Sequence, residues 1–493
     1  MKKAMKKLMA ALLAVAMVCA MAAPAWAAVD ISSHTFVAYQ IFAGNFNENT
    51  LSNVTWGSNV TGSDFLSALK SANTAYNACT DAKGVAEVLS ATPSLATDFA
   101  KFAAKHVTGT AVASGTGSVD LLSAGYYLIV DTTDVAGAHD AKNLSLLKVS
   151  SATTVTPELK TDIPTLEKKV KDINDTTGVE SNWQDSADYD IGDTIPYKLT
   201  ATLGNVSNFD KYYVKFVDTM TNLTYVDGSA SVKINTTPLT SSQYNLTWNE
   251  TSKTLEIEIA DVKAFGAGNN SVITVKYNAT LDSTAVIGST GNPNYAHLVF
   301  SNNPNGEGTG ETPKDKNIVF TYKVDADKVN PESAKLPGAA FELWKKVGSD
   351  WVSKGVMNAT KNSDGTYTIL NANDVTTFEW KGIDDGDYKL VEVVTPTGYN
   401  TMADLLFTVS AEHDETSDDP TLTSLTGNAG TGEVTTFTPD KASGSLTASI
   451  VNHRGTTLPG TGGIGTTIFY VVGGGLMVAA AILLITKKRM ENR

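Results

Sequence analysis

Two cysteines in 493 residues are too few for a disulfide framework. Cys19 falls in an N-terminal leader expected to be removed, so the mature chain keeps Cys79 alone and closes no internal disulfide. Cys79 itself reads as a small, partly buried apolar residue, with pairing between chains as the alternative. Histidine is scarce as well: six residues, scattered without metal-ligand spacing. There is no Gly-x-Ser-x-Gly elbow and no phosphate loop, and Asp325-Ala326-Asp327 lacks the rest of a calcium loop. The sequence therefore predicts no enzyme, no metal and no cofactor. Positive charge is also short: 38 Lys and Arg face 52 Asp and Glu, for a net charge of −14. That balance argues against nucleic acid or an anionic membrane as partner.

The two ends carry addressing signals. Lys2, Lys3, Lys6 and Lys7 precede an apolar run from Leu8 to Met21, and Ala25-Trp26-Ala27 follows with small residues where a signal peptidase needs them. The run is too short to span a hydrocarbon core of ~30 Å, so residues 1–27 read as a signal peptide cleaved after Ala27. At the other end, Thr466 to Thr486 is long enough to cross a membrane, and Lys487, Lys488 and Arg489 follow it. Basic residues stay on the cytoplasmic side, which puts the body of the chain outside. Just upstream stands Leu458-Pro459-Gly460-Thr461-Gly462. This pentapeptide, then an apolar span, then a basic tail resembles the cell-wall sorting signal of Gram-positive bacteria. The resemblance implies that a sortase thiolate attacks the bond between Thr461 and Gly462 and passes the Thr461 carboxyl to an amine. Residues 455–493 form this segment.

Between the ends lie about 430 residues, enough for roughly three domains. Residues 28–156 mix a strand-like run, His34 to Phe42, with helical periodicity at Asp64–Lys70 and Leu95–Phe102, and return to strand at Gly125–Val130. Ser63 or Asp64 is placed to cap the first helix. Residues 157–316 show short strands between turn signals, as in an all-β sandwich, with Asn302-Asn303-Pro304-Asn305-Gly306 breaking the pattern. Residues 317–454 form a second sandwich that opens at Ile318-Val319-Phe320, with a hairpin at Asp364-Gly365. The acidic stretch around Glu412, Asp414, Glu415, Asp418 and Asp419 reads as a solvated loop. The predicted fold is mostly β: tandem immunoglobulin-like sandwiches in a rod, an N-terminal α+β domain and a C-terminal transmembrane helix.

The third domain combines Lys323-Val324-Asp325, Gly338-Ala339-Ala340-Phe341-Glu342-Leu343 and Tyr388-Lys389-Leu390-Val391-Glu392, the last continuing to Thr395-Pro396-Thr397-Gly398-Tyr399. These resemble the collagen-adhesin B-type domain and the E-box of sortase-assembled pilin subunits. In that family a first-strand lysine joins a last-strand asparagine in a spontaneous isopeptide bond assisted by the E-box glutamate. Carried over, the trio is Lys323, Asn452 and Glu392. The middle domain resembles the A-type isopeptide-forming pilin domain through Pro164–Val170, Ile191–Tyr197, Phe216–Met220 and His297–Asn302, which implies Lys168, Asp218 and Asn302. Alternation agrees here: Leu166, Lys168 and Val170 share a face, as do Val214, Phe216 and Asp218, and Leu298, Phe300 and Asn302. It gives no such support to Lys323, because Phe320, Tyr322 and Val324 lie on the opposite face. Gly125–Asp131 resembles the N-terminal pilin domain, and no cross-link is expected there.

The residue types fit that chemistry. The amine must be neutral to attack a carboxamide and the acid must be protonated to polarise it, and an apolar core favours both. Held contact replaces several kcal/mol of entropic barrier. The competing reading of each trio is a plain Lys-carboxylate pair beside an unrelated asparagine.

A shaft subunit also needs a lysine to accept the incoming Thr461 acyl group. Related pilins carry Tyr-Pro-Lys near the first domain junction. Here Thr156-Pro157-Glu158-Leu159-Lys160 stands instead, making Lys160 the nearest candidate, with an ordinary linker lysine as the alternative. The resemblance implies a backbone subunit of a covalent pilus. Its partners would be sortase, further copies of itself, accessory pilins, peptidoglycan and a host surface ligand. A monomeric wall-anchored adhesin and an accessory pilin are the alternatives.

Overall fold

The computed structural model describes residues 29–48, 50–431, 436–455 and 464–490. Ala27 and the pentapeptide Leu458 to Gly462 lie outside the described residues.

The first domain is built around Thr35–Asn47 (β1), which pairs antiparallel with Thr50–Trp56 (β2) and Gly125–Asp131 (β3), while Leu146–Ser150 (β4) extends the sheet beyond β3. Three helices cover one face: Gly62–Ala72 (α1), Ala82–Ala91 (α2) and Ala96–His106 (α3). Each buries residues at helical spacing, such as Phe65 and Leu69, Val85 and Leu89, and Phe99 and Ala103. They pack in one cluster with Ile41, Phe42 and Leu128 of the sheet, and buried Cys79 belongs to that cluster. The N-cap of α1 is Thr61, without a side-chain capping bond, and not Ser63 or Asp64. Helix α2, which periodicity did not single out, has a stronger start: Asp81 accepts a 2.8 Å hydrogen bond from the amide of Gly84.

At the entry to β1, fully buried His34 sits between two carboxylates, Nδ1 2.7 Å from Asp131 and Nε2 3.0 Å from Asp140. Burial alone would lower its pKa, but the two carboxylates together raise it. A raised folded value means that this stabilisation is complete below the unfolded value of about 6.5 and fades as pH rises through the folded one. Hydrogen-exchange protection along β1, corrected for the base-catalysed rise in intrinsic amide exchange, is therefore expected to fall from pH 6 to pH 8, and His34→Gln should flatten the corrected profile. An unchanged profile in the variant would remove His34 from the account.

The second domain is a sandwich. One sheet runs from Ser186–Asp188 (β6) through Asp315–Phe320 (β12), Asn292–Ser301 (β11) and Val214–Met220 (β8) to Thr254–Ile259 (β9). The facing sheet sets Thr165–Val170 (β5) at the edge beside Thr194–Thr202 (β7) and Val272–Leu281 (β10). Burial alternates along β7, β8, β10 and β11, as it must when one face of each strand fills the space between sheets.

The third domain is a second sandwich. Tyr322–Val329 (β13) pairs antiparallel with Thr377–Ile383 (β15) and parallel with Ser445–Val451 (β19). Opposite them, Ala340–Val347 (β14), Gly386–Val394 (β16), Leu405–His413 (β17) and Leu422–Thr431 (β18) form an antiparallel sheet. Gly365 turns the predicted hairpin with φ +83°.

Strand β12 corrects the expected boundary at 316. Val319 lies opposite Asn292 in the ladder of the second domain and packs in its core, so that domain runs on through Phe320. Ile318 and Phe320, pointing the other way, join the core of the third. One strand is shared by two cores. The acidic loop after β17 is likewise docked: Glu415 and Asp414 accept from the Asp185 amide (2.9 Å) and the Ser186 hydroxyl (2.6 Å) of the second domain.

At the end of the described chain, Ile464–Met490 (α4) is a continuous helix, about 40 Å long at 1.5 Å per residue. It holds one stretch apolar enough to cross a membrane, Val471–Lys488.

Candidate cross-linking sites

In the second domain the sandwich brings Lys168 on β5 and Asp218 on β8 together across the core. Both are buried, and the Lys168 Nζ donates to Asp218 Oδ2 and to the Tyr277 hydroxyl, the latter at 3.0 Å. Tyr277 donates on to Asp218 (2.7 Å) and accepts from the Asn294 carboxamide (3.0 Å). Burial pushes the Lys168 amine down from its ordinary value, against the pull of Asp218. Three buried oxygens nearby, Asp218 Oδ1, Asn294 Oδ1 and Asn317 Oδ1, have no hydrogen-bond partner. Buried polar atoms are rarely left so.

Asn302 is not among them. It follows the last residue of β11 in phase with the inward face, as alternation indicates, but eight residues beyond Asn294, about 27 Å at the rise of an antiparallel strand. There it holds the first domain: its carboxamide donates to Val135 O (2.6 Å) and Asp140 O (3.2 Å), and its carbonyl accepts from Lys142 (2.8 Å). The ladder would have separated the candidates, since Asp218 faces Ala296 and Met220 faces Asn294. Asn317, opposite Asn294, turns its amide onto the carbonyls of Lys168 (3.1 Å) and Asp185 (3.2 Å). Asn294 is therefore the carboxamide that shares a partner with the Lys168 amine.

In the third domain the structure joins Asn452 to Glu392 but brings Lys328, not Lys323, to them. Lys328 Nζ lies 2.7 Å from Asn452 Oδ1, and the Asn452 amide donates to Glu392 Oε1 (2.8 Å) and Oε2 (3.0 Å). All three are buried. Lys323 points out of the sandwich and pairs with Glu379 (2.6 Å) and Asp325 (3.0 Å). Burial lowers its pKa less than these carboxylates raise it, so it stays charged. The signal for Lys328 was in the sequence: Tyr322, Val324, Ala326 and Lys328 share the buried face of β13.

Burial alone does not mark a nucleophile. Lys345 on β14 is equally buried, yet Asp384, Asp190 and Asp175 surround its ammonium and outweigh the cost of burial, raising its pKa. That group is an ion cluster between domains, without a carboxamide at the amine.

Lys160 occupies the first junction. Its amide donates to Asn143 Oδ1 (2.8 Å) and its carbonyl accepts from Asn208 (2.7 Å), so the backbone is held while the amine reaches solvent beside Glu158 (2.8 Å).

Residues 322–421 match the SpaA prealbumin-like fold domain, and residues 450–492 match the LPXTG cell wall anchor motif. Over most of its length the chain superposes on the T6 backbone pilin of serotype M6 Streptococcus pyogenes, described as a modular three-domain structure, with a TM-score of 0.51, 16% identity, and 87% and 98% of the two chains covered. The fold is that of a backbone pilin. The trypsin-resistant surface T6 protein of Streptococcus pyogenes serotype M6 is 31% identical over 140 residues, a match that takes in 26% of this chain and only 23% of that protein. The full-length major pilin SpaD of Corynebacterium diphtheriae aligns with a TM-score of 0.44, 18% identity, and 86% and 90% coverage. Within this pilin fold the anchor motif makes the chain a cell-wall surface protein whose precursor is held in the membrane by α4.

Proposed function

We propose that this chain is the shaft subunit of a sortase-polymerised pilus, stiffened by two self-formed isopeptide bonds, Lys168 to Asn294 and Lys328 to Asn452. The observation that carries the reading is the contact of a buried lysine amine with a buried carboxamide that is itself held on a carboxylate, at Lys328, Asn452 and Glu392. In each domain the neutral amine attacks the asparagine Cγ. The carboxylic acid donates to the developing oxyanion and relays the amine proton to the leaving nitrogen. A C–N bond forms, another breaks, and ammonia departs. Each acid acts once, so the chain turns over no substrate.

Sortase, copies of the chain itself and peptidoglycan are the partners that follow, with Thr461 as acyl donor and Lys160 as acceptor. Support for Lys160 is its exposed amine on a fixed backbone at the first junction. The test is an immunoblot of cell-wall extract boiled in detergent. A ladder of high-mass bands in wild type, collapsing to one subunit in Lys160→Ala, is the expected result. A ladder in both would move the acceptor to another lysine. A single wall-linked band in both would favour a monomeric wall-anchored adhesin.

A further inference from the structure

We propose a divalent transition-metal site of the zinc class between the second and third domains, formed by Asp172, Asp188 and His413. The ligand atoms of these three residues all lie within 4.8 Å of one another. His413 Nε2 stands 3.5 Å from Asp172 Oδ2 and 3.9 Å from Asp188 Oδ1. Those separations are long for hydrogen bonds. They approach the edge of a tetrahedron about a zinc ion, about 3.4 Å for bonds of about 2.0–2.1 Å.

Two independent features point to a ligand. The first is the histidine tautomer. The Ser186 hydroxyl has one proton and gives it to the Asp414 carbonyl (2.6 Å), so it accepts from His413 Nδ1 (2.7 Å). With a proton fixed on Nδ1, His413 directs Nε2 toward the carboxylates, the arrangement found behind metal-bound histidines, and a cation would take the place of the Nε2 proton that those carboxylates favour. The second is Asp188. It is 97% buried, and its Oδ2 has no hydrogen-bond partner. A buried carboxylate oxygen without a hydrogen-bond partner is costly, and a bound cation would lower that cost.

The chemistry selects the ion. One imidazole with two carboxylates suits zinc or its neighbours better than calcium or magnesium, which prefer oxygen alone. Asp172 is the half-buried member of the three, so entry would lie past it, with water as the fourth ligand. The neighbouring group Asp175, Asp190, Asp193 and Asp384 has no such claim, because the Lys345 ammonium already sits on three of its carboxylates. Asp172 and Asp188 belong to the second domain and His413 to the third, so the ion would tie the two together. Sequence spacing could not show this, since 225 positions separate Asp188 from His413.

The test is equilibrium dialysis of the full-length chain in detergent against zinc chloride, read by elemental analysis, with cobalt substituted for its visible spectrum. One zinc per chain is expected, with tetrahedral cobalt bands. Asp188→Asn and His413→Gln should each abolish both signals. In chelator, Asp188→Asn should unfold close to the wild-type temperature, which shows that the fold survives. No saturable zinc in wild type, or full binding retained in both variants, would overturn the site.

Discussion

Weighed intact, the expressed ectodomain is expected to fall short of its sequence mass by two molecules of ammonia. Each deficit should trace to one domain. Lys168→Ala and Asp218→Ala should restore the first, and Lys328→Ala and Glu392→Ala the second. Lys323→Ala and Asn302→Ala should restore neither, because Lys323 is salt-bridged on the outer face of β13 and Asn302 clamps the first domain junction. Digestion followed by peptide sequencing should place the second-domain branch point at Asn294. A branch at Asn317 would keep the chemistry and reject the hydrogen-bonding argument that prefers Asn294. A full-mass protein would leave one buried ion pair, Lys168 with Asp218, one hydrogen-bonded group, Lys328 with Asn452 and Glu392, and no cross-link. Geometry gives Lys328 the better start, since its amine already touches the Asn452 carboxamide, whereas Lys168 reaches Asn294 through Tyr277.

The second large effect is on stability. Asn452→Ala would remove the cross-link proposed for the third domain, which would close a loop of more than a hundred residues. By the chain-entropy model used for disulfides, losing such a loop costs about 5 kcal/mol. The guanidinium transition of that domain should move down accordingly, and trypsin should cut it where wild type resists. Lys323→Ala offers the contrast: it breaks only partly exposed ion pairs, worth at most about 1 kcal/mol. Equal shifts in the two variants would mean that Asn452 acts through packing and hydrogen bonds alone.

Much of this architecture was legible beforehand, for definite reasons. Strands such as β8, β10 and β11 alternate cleanly because each has one face in the sandwich and one in water. The terminal signals depend on composition and order, which need no tertiary information. Lys328, the lysine that the fold brings to Asn452, was passed over although the same alternation marked it: it continues the buried face that Tyr322, Val324 and Ala326 begin. Asn302 had the right parity and the wrong position, because parity assigns a face and says nothing of distance along the strand. The docking of the loop at Asp414 and Glu415 was not visible at all. A run of acids reads as solvated until an amide and a hydroxyl of another domain are seen to donate to its carbonyls.

The shared strand β12 has a mechanical consequence. With both cross-links in place, a pull along the fibre bypasses everything enclosed between Lys168 and Asn294 and between Lys328 and Asn452. Slack remains between Asn294 and Lys328, 34 positions whose full length drawn straight is at most about 120 Å. That length contains β12, whose Val319 is seated in one core and whose Ile318 and Phe320 are seated in the next. The stretch left without covalent shielding is thus the one that must be drawn from two interiors at once, and it acts as a latch on the fibre's reserve of extension.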